Sequence, residues 1–371
     1  MRQMTPALII GGGLAGAAAG IDLARLGQSP LLLERETGAH DKICGEFLSG
    51  EAVAALAGLG VDARSLGAVP ITRVEINAGH RQAAARLPFP ALSLSRRVLD
   101  AAMLERAAAV GVEVQRGVSV RGLADGAAQT TAGDISAAAL LLASGKHDVR
   151  GHPRPDGPDE IGFKMYFRDA ALSRRLAGTV AVTFFDGGYA GLQPVEGGRL
   201  NLCLLVDGAH YRSLGSWPAL LARLVTEPAL AALASAEPLL PRPLAISRVP
   251  YGHLAGPGDD GQKPAIWRLG DQAAVIPSFC GDGMAIGLES GRLAAAMLAD
   301  GASAAQFQRE LLTRTRRPVR LAMAALRLAR HPVGRLAAMA GLSAVPGGLA
   351  LLARLTRVAD PRAPESSIAP A

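Results

Sequence analysis

The run Ala7-Leu8-Ile9-Ile10-Gly11-Gly12-Gly13-Leu14-Ala15-Gly16 leaves this chain few ways to begin folding. Four apolar residues read as a buried strand, and an Ala-rich stretch to about Leu26 reads as a helix. Between them Gly11, Gly13 and Gly16 stand in G-x-G-x-x-G spacing. The first glycine allows a tight turn, the second lets backbone approach a pyrophosphate, and the third lets helix pack close on strand. Phosphates then meet the free N–H groups at the positive end of the helix, around Leu14 and Ala15. The next apolar strand, Leu31-Leu32-Leu33, ends at Glu34-Arg35, where a carboxylate would accept hydrogen bonds from a ribose diol. In a chain with 44 glycines the spacing alone carries little. Strand, turn, helix, strand and acid in register define a dinucleotide site.

At 371 residues, 49% of them hydrophobic, the chain suits two interleaved domains. Its net charge is +7, yet only Lys42, Lys146, Lys164 and Lys263 are lysines. With so much Ala and Gly, this bias towards arginine reads as genome composition. No aromatic-interleaved basic stripe or zinc-ligand spacing accompanies it, so neither nucleic acid nor metal is expected. The three cysteines, Cys44, Cys203 and Cys280, are odd in number and far apart, which argues against a disulfide framework and fits a reducing, cytoplasmic compartment. Arg2 and the apolar run after it mimic a signal peptide, but removing them would destroy the nucleotide turn. Leu336 to Ala353 lacks formal charge but is broken by Pro346-Gly347-Gly348, so it is not read as a membrane span.

Further along, Val74 to Asn77 alternates like a half-buried strand that Gln82 to Leu87 could pair with. Ser95 is placed to cap a helix running to about Val110. Ala139 to Ala143 is fully apolar and reads as a central parallel strand. From Gly162 to Val206 four strands alternate with glycine-rich turns, as antiparallel hairpins require. A loop over 256–264 then leads to an apolar strand, Ala265 to Leu269, and to Gly270-Asp271. The expected architecture is α/β. A Rossmann-like nucleotide domain covers 1–72, 95–160 and 262–310, an inserted antiparallel sheet forms a substrate domain over 73–94 and 161–261, and a helical region covers 311–371.

Four motifs carry a family resemblance. Gly270-Asp271 is followed by Pro277, Gly281 and Gly283 before a helix from about Met284 to Leu298. Ser95-Arg96 precedes Leu99-Asp100. Lys42-Ile43-Cys44-Gly45-Glu46-Phe47-Leu48-Ser49 lies just after the second strand. Gly188-Tyr189-Ala190-Gly191-Leu192-Gln193-Pro194 closes a hairpin. Together these resemble the para-hydroxybenzoate hydroxylase and geranylgeranyl reductase superfamily of FAD-dependent oxidoreductases, from the N-terminus to about Asp300.

The resemblance implies FAD as cofactor, with NAD(P)H as electron donor and a small molecule as substrate. It places Asp271 on the ribityl hydroxyls, Arg96 against the cofactor, and the N–H groups of Met284 and Ala285 at the flavin N1–C2=O edge. A helix N-terminus there favours the negative charge that reduction creates. Cys44 falls by the flavin, Cys280 beside the glycine pair flanking it, and Tyr189 and Gln193 on the sheet facing it. His147, in a loop after the central strand, is a candidate base.

The chain also departs from the family pattern. Ala143 to Arg150 lacks the Asp-Gly that hydroxylases commonly carry, and Gly191 and Gln193 stand where geranylgeranyl reductases have Trp and Phe. Two reactions compete. One is hydroxylation of an aromatic or polyketide-like molecule through a flavin C4a-hydroperoxide, the favoured expectation. The other is hydride transfer to a carbon–carbon double bond, which Cys44-Gly45-Glu46 resembles. A flavoprotein that only passes electrons to a partner is the alternative of another class. The arginine-rich tail could lie on an anionic membrane, but a kinked helix, interrupted at Pro318 and Pro332 with its arginines in water, is the favoured expectation.

Overall fold

The structure, a computed structural model, describes residues 3–124, 126–258, 266–344 and 347–357. The expected domain boundary at 262, Ala265, much of the 256–264 loop and the last part of the expected helical tail lie outside the described residues. The chain opens with β1 (Gln3–Ile10), α1 (Leu14–Arg25) and β2 (Leu31–Glu34). It continues through β3 (Phe47–Leu48), α2 (Gly50–Gly58), the long hairpin β4 (Val69–Ala78) and β5 (Arg81–Ser93), and α3 (Arg96–Ala109). Next come β6 (Glu113–Arg116), β7 (Val120–Ala124), β8 (Ala127–Thr130) and β9 (Gly133–Leu142).

The second half holds β10 (Glu160–Arg168), α4 (Ala170–Arg175), β11 (Thr179–Phe185), β12 (Gly188–Val195) and β13 (Arg199–Asp207). After α5 (Gly208–Leu214) and α6 (Trp217–Leu224) follow the short β14 (Glu237–Pro238), β15 (Leu244–Ser247) and β16 (Ile266–Arg268). Helices α7 (Gly283–Ala299), α8 (Ala304–Arg330), α9 (Pro332–Ala344) and α10 (Gly348–Leu355) complete the described chain.

In the first sheet β6, β2, β1, β9 and β16 lie side by side and parallel, and β8 and β7 extend it antiparallel from the first half of β9. Ala7 to Ile10, Leu31 to Leu33 and Leu140 to Leu142 are all buried, as strands covered on both faces must be. Ile10 pairs with Leu33 on one side and Leu142 on the other, so these strands end along one edge. That edge carries the glycine turn, Glu34, the 143–145 loop and Gly270-Asp271. The β7–β8 hairpin was not legible in the sequence.

The second sheet runs β14-β10-β13-β12-β11-β4-β5-β3, with β15 beside β10. It is antiparallel except where β11 meets β4 in parallel. The sequence implied antiparallel hairpins throughout. The exception arises because the chain between β5 and β11 runs through α3, β6 to β9 of the first sheet, β10 and α4, a connection long enough to return in the same direction.

Pro318 does not interrupt the tail as expected. Helix α8 continues through it to Arg330, and Leu311, Val319, Ala322 and Leu326 are buried on both sides of the ring. Pro332 does mark a boundary, as the first residue of α9. Among the described residues no helix is long and apolar enough to cross a membrane.

Candidate active site

The glycine turn is held by contacts that exclude side chains. Gly11 has φ +109°, and a Cβ there would sit 2.4 Å from the Ala143 carbonyl oxygen; one on Gly16 would sit 2.0 Å from the Gly11 carbonyl oxygen. Gly13 differs, because its Cβ would meet nothing nearer than Arg96 Nη2 at 3.5 Å and Lys42 Nζ at 3.9 Å. It faces a cavity through two cations. Gly13 is also the N-cap of α1 and supplies no side-chain cap, so the first-turn N–H groups remain for an anion. The buried Glu34 carboxylate accepts from Gly12 N at 2.8 Å and Glu36 N at 2.9 Å, fixing it beside the turn.

Arg96 Nε and Nη2 donate to Asp100 at 2.7 and 2.9 Å, and Lys42 Nζ reaches the same carboxylate at 2.8 Å. Burial alone would raise the Asp100 carboxyl, but Arg96 and then Lys42 hold it below its usual range. Two cations share one anion, leaving a positive charge over the turn. A pyrophosphate fits that surplus.

The same cavity continues past Gly270 and Asp271 to Gly281, Gly283 and Met284. Gly270, with φ +56°, packs on Ala15, and its N–H donates to Ser290 Oγ at 2.9 Å. A Cβ on Gly291 would lie 2.2 Å from the Ala15 carbonyl oxygen, so α7 and α1 cross in close contact. Helix α7 has no side-chain cap either, and its N-terminus opens on the same cavity as that of α1. Two uncapped helix N-termini and a carboxylate just after a strand give this cavity free N–H donors and an acceptor, a set whose chemistry suits a dinucleotide.

Alternation along the second sheet makes the far wall. Ala190, Leu192, Leu202 and Leu204 enter that sheet's own core, while Tyr189, Gly191, Gln193 and Cys203 line the cavity. Cross-strand register sets Ile76, Val182, Gly191, Cys203 and Lys164 in one row. One end of this face is apolar. The other holds a buried polar cluster centred on Glu46, which has φ +60° and no exposure.

The Glu46 carboxylate accepts from Lys164 Nζ at 2.5 Å, Tyr166 Oη at 2.7 Å and Arg96 N at 2.8 Å. Burial pushes this carboxyl up, while Lys164 and the two hydrogen bonds pull it down. Asn201 Nδ2 donates to the carbonyls of Cys44 and Gly45 at 3.0 Å each, and Glu46 N donates to Cys44 Sγ at 3.3 Å. The Cys44–Glu46 loop is thereby fixed against the cavity. Burial and then Cys44 push the Cys203 thiol up to about 12.

Of the residues the sequence singled out, Gly13, Leu14, Ala15, Cys44, Arg96, Tyr189, Gln193, Gly270, Asp271, Cys280, Gly281, Gly283 and Met284 line this one cavity. Gly11, Gly16, Glu34, Pro277 and Ala285 do not line it; Gly16, Glu34, Pro277 and Ala285 are buried beside lining residues. Arg35 and His147 do not line it; both are exposed, and Arg35 pairs with Glu36. Lys42, Glu46, Lys164, Tyr166 and Asn201 were not read as site residues. A signal existed in Phe163-Lys164-Met165-Tyr166-Phe167, where polar groups alternate inside an apolar strand.

A family described as FAD binding domain matches residues 4–138. The menaquinone reductase of Mycolicibacterium smegmatis is 27% identical, over 81% of this chain and 78% of that protein. Among solved structures, a flavoprotein/dehydrogenase from Cytophaga hutchinsonii superposes with a TM-score of 0.73 at 17% identity, covering 88% of each chain. The myxobacterial chondrochloren halogenase CndH also gives 0.73, at 20% identity over 88% of this chain and 82% of its own. Fold and glycine turn define a dinucleotide-binding flavoprotein. Residues 4–138 match an FAD-binding domain, and the chain is an FAD-dependent oxidoreductase whose fold is similar to that of the para-hydroxybenzoate hydroxylase-like flavoproteins.

Proposed function

We propose that this enzyme reduces a carbon–carbon double bond in an apolar, prenylated quinone-like molecule. The observation that carries the reading is the apolar end of the cavity. Val74, Ile76, Val180 and Val182 from the sheet and Leu349 and Leu352 from α10 line it, at the end away from the Glu46 cluster. Such a wall binds hydrocarbon and excludes water. The similarity to a menaquinone reductase supports the same substrate class.

In this reading Gly13, α1, Arg96 and Lys42 hold the pyrophosphate, Glu34 the adenosine ribose, Asp271 the ribityl chain and the N-terminus of α7 the flavin. Bound FAD, reduced by NAD(P)H or another donor, supplies the hydride. The chain's own part is to place the alkene, keep water out, and provide a proton, for which Cys44 Sγ is the fixed carrier beside the cavity.

Hydroxylation, the reaction favoured from sequence, would use the same closed space. It calls for polar groups that orient a phenol, whereas the substrate end of this wall is hydrocarbon. The test is single turnover by reduced holoenzyme with a short-chain menaquinone. A product formed without oxygen that stays heavier by one dihydrogen after any quinol has been reoxidised in air supports the proposal. A product heavier by one oxygen atom, formed only in air, overturns it.

A further inference from the structure

Helix α10 has two apolar faces with different tasks. Leu349, Leu352, Ala353 and Thr356 line the cavity at the i, i+3, i+4, i+7 spacing of one helix face. The opposite face carries Leu351, Arg354 and Leu355, with Leu351 57% and Leu355 40% exposed. Next to it α9 exposes Val333 at 68% and Leu336 at 49%. Helices α9 and α10 touch each other, and both lie on β5. Only six large apolar side chains are this exposed among the described residues, and five of them fall between Leu328 and Leu355.

Charge runs with this apolar surface. Residues 311–357 contain nine arginines and no acid. Some arginines are used internally: Arg335 reaches Asp186 and Arg357 reaches Asp282. Arg327 and Arg354 are exposed and have no ion pair among the described residues. A second copy of this chain docking here through the same face would set arginine against arginine, with no acid of the segment to answer it. An anionic surface with an apolar interior answers both features at once.

We infer that the outer face of α9 and α10 docks on an anionic lipid bilayer, making α10 the single wall between membrane and cavity. Exposed leucines enter the boundary between headgroups and acyl chains, and the arginines extend to lipid phosphates. A water-insoluble substrate then passes from bilayer to cavity around one helix. The inference rests on the apolar-substrate reading, and it is tested separately from it.

The experiment is flotation of FAD-loaded protein with vesicles of phosphatidylcholine containing phosphatidylglycerol, and with phosphatidylcholine alone. Co-flotation with the anionic vesicles is expected, falling several-fold as salt is raised or phosphatidylglycerol omitted. Leu351→Glu combined with Leu355→Glu should cut it at least tenfold, with FAD content and turnover of a dispersed short-chain menaquinone unchanged. Should that variant not fold, Arg327→Glu with Arg354→Glu, which leaves packing intact, should give the same loss. Absence of flotation by the wild type, flotation of the variants at the wild-type level, or a dimer that the same substitutions dissolve would each overturn the inference. Failure of the short-chain substrate to turn over, with flotation intact, would sink the reductase reading and leave the docking surface standing.

Discussion

Glu46 and Lys164 are 118 positions apart in sequence, yet their side chains meet at 2.5 Å with neither exposed to solvent. Lys164 Nζ also donates to the Lys42 carbonyl at 3.0 Å. This pair ties the loop after the second strand to the second sheet, and so joins the nucleotide half of the cavity to the substrate half. Removing one partner strands a buried charge, which costs about 3–5 kcal/mol. Glu46→Gln is expected to lower stability by that order, read by denaturant unfolding. Tyr166→Phe removes one donor to a charged acceptor and should cost less, about 1.5–3 kcal/mol. Equal losses would show that the cluster acts through packing alone.

The glycine turn separates binding from folding. Gly13→Val puts its side chain where only Arg96 and Lys42 approach, so the apoprotein should melt within a few degrees of wild type and hold no FAD. Gly16→Ala collides with the Gly11 carbonyl and should destabilise the apoprotein itself. Absorbance at the flavin band after gel filtration, alongside melting of apoprotein, checks both.

These two cases show what was legible in the sequence. Gly11, Gly13, Gly16 and Glu34 act within one strand–turn–helix–strand unit, so their spacing along the chain is their spacing in space. Ser95 is likewise local, accepting from the N–H three residues on. The Glu46 cluster is not local. Its members come from a loop, α3 and β10, and only the register of β10 on β13 turns Lys164 and Tyr166 inward. The parallel β4–β11 contact was hidden for the same reason, since hairpin logic describes neighbours along the chain. Pro318 shows the opposite case: a local helix breaker overridden by the buried stripe of α8.

Acid should weaken the Arg96–Asp100–Lys42 group. The Asp100 carboxyl is held below the ordinary aspartate value of 3.8, so its stabilisation is present above that pH and is lost as pH falls through the folded-state value. Asp100→Asn should lower stability at neutral pH, because Arg96 and Lys42 then face each other unpaired. It should also flatten the loss seen on acidification below about pH 4. Melting temperatures between pH 3 and pH 7, ordinary titration limits for a carboxyl, compare the two proteins.

Gly191 lines the cavity at the centre of the proposed substrate wall. A Cβ there would meet only the Cys203 carbonyl oxygen, at an ordinary 3.6 Å, so a larger residue fits the backbone but fills the cavity. Gly191→Phe should retain FAD and raise KM for a prenylated substrate about tenfold or more, the order expected for excluding a few methylenes from an apolar pocket. An unchanged KM would move the substrate away from the sheet.

The last expectation concerns flavin electronics. Asp282 is fully buried at the start of α7, and its carboxylate is paired with Arg357 Nη1 at 3.1 Å and accepts from Ser49 Oγ at 3.2 Å. Arg357 also donates to the Cys280 carbonyl and lies over the Phe89 ring, so a residue just beyond α10 neutralises an acid beside the proposed flavin edge. Removing it withdraws one positive charge from beside the edge where reduction adds a negative one. Arg357→Met should therefore lower the flavin midpoint potential by tens of millivolts, on the order of a Coulomb interaction over several ångströms at intermediate dielectric. Pairing the change with Asp282→Asn removes a negative charge at the same place and should restore the potential. A purely structural role would lower stability in both proteins and leave the potential in place, which spectroelectrochemistry on the two variants would reveal.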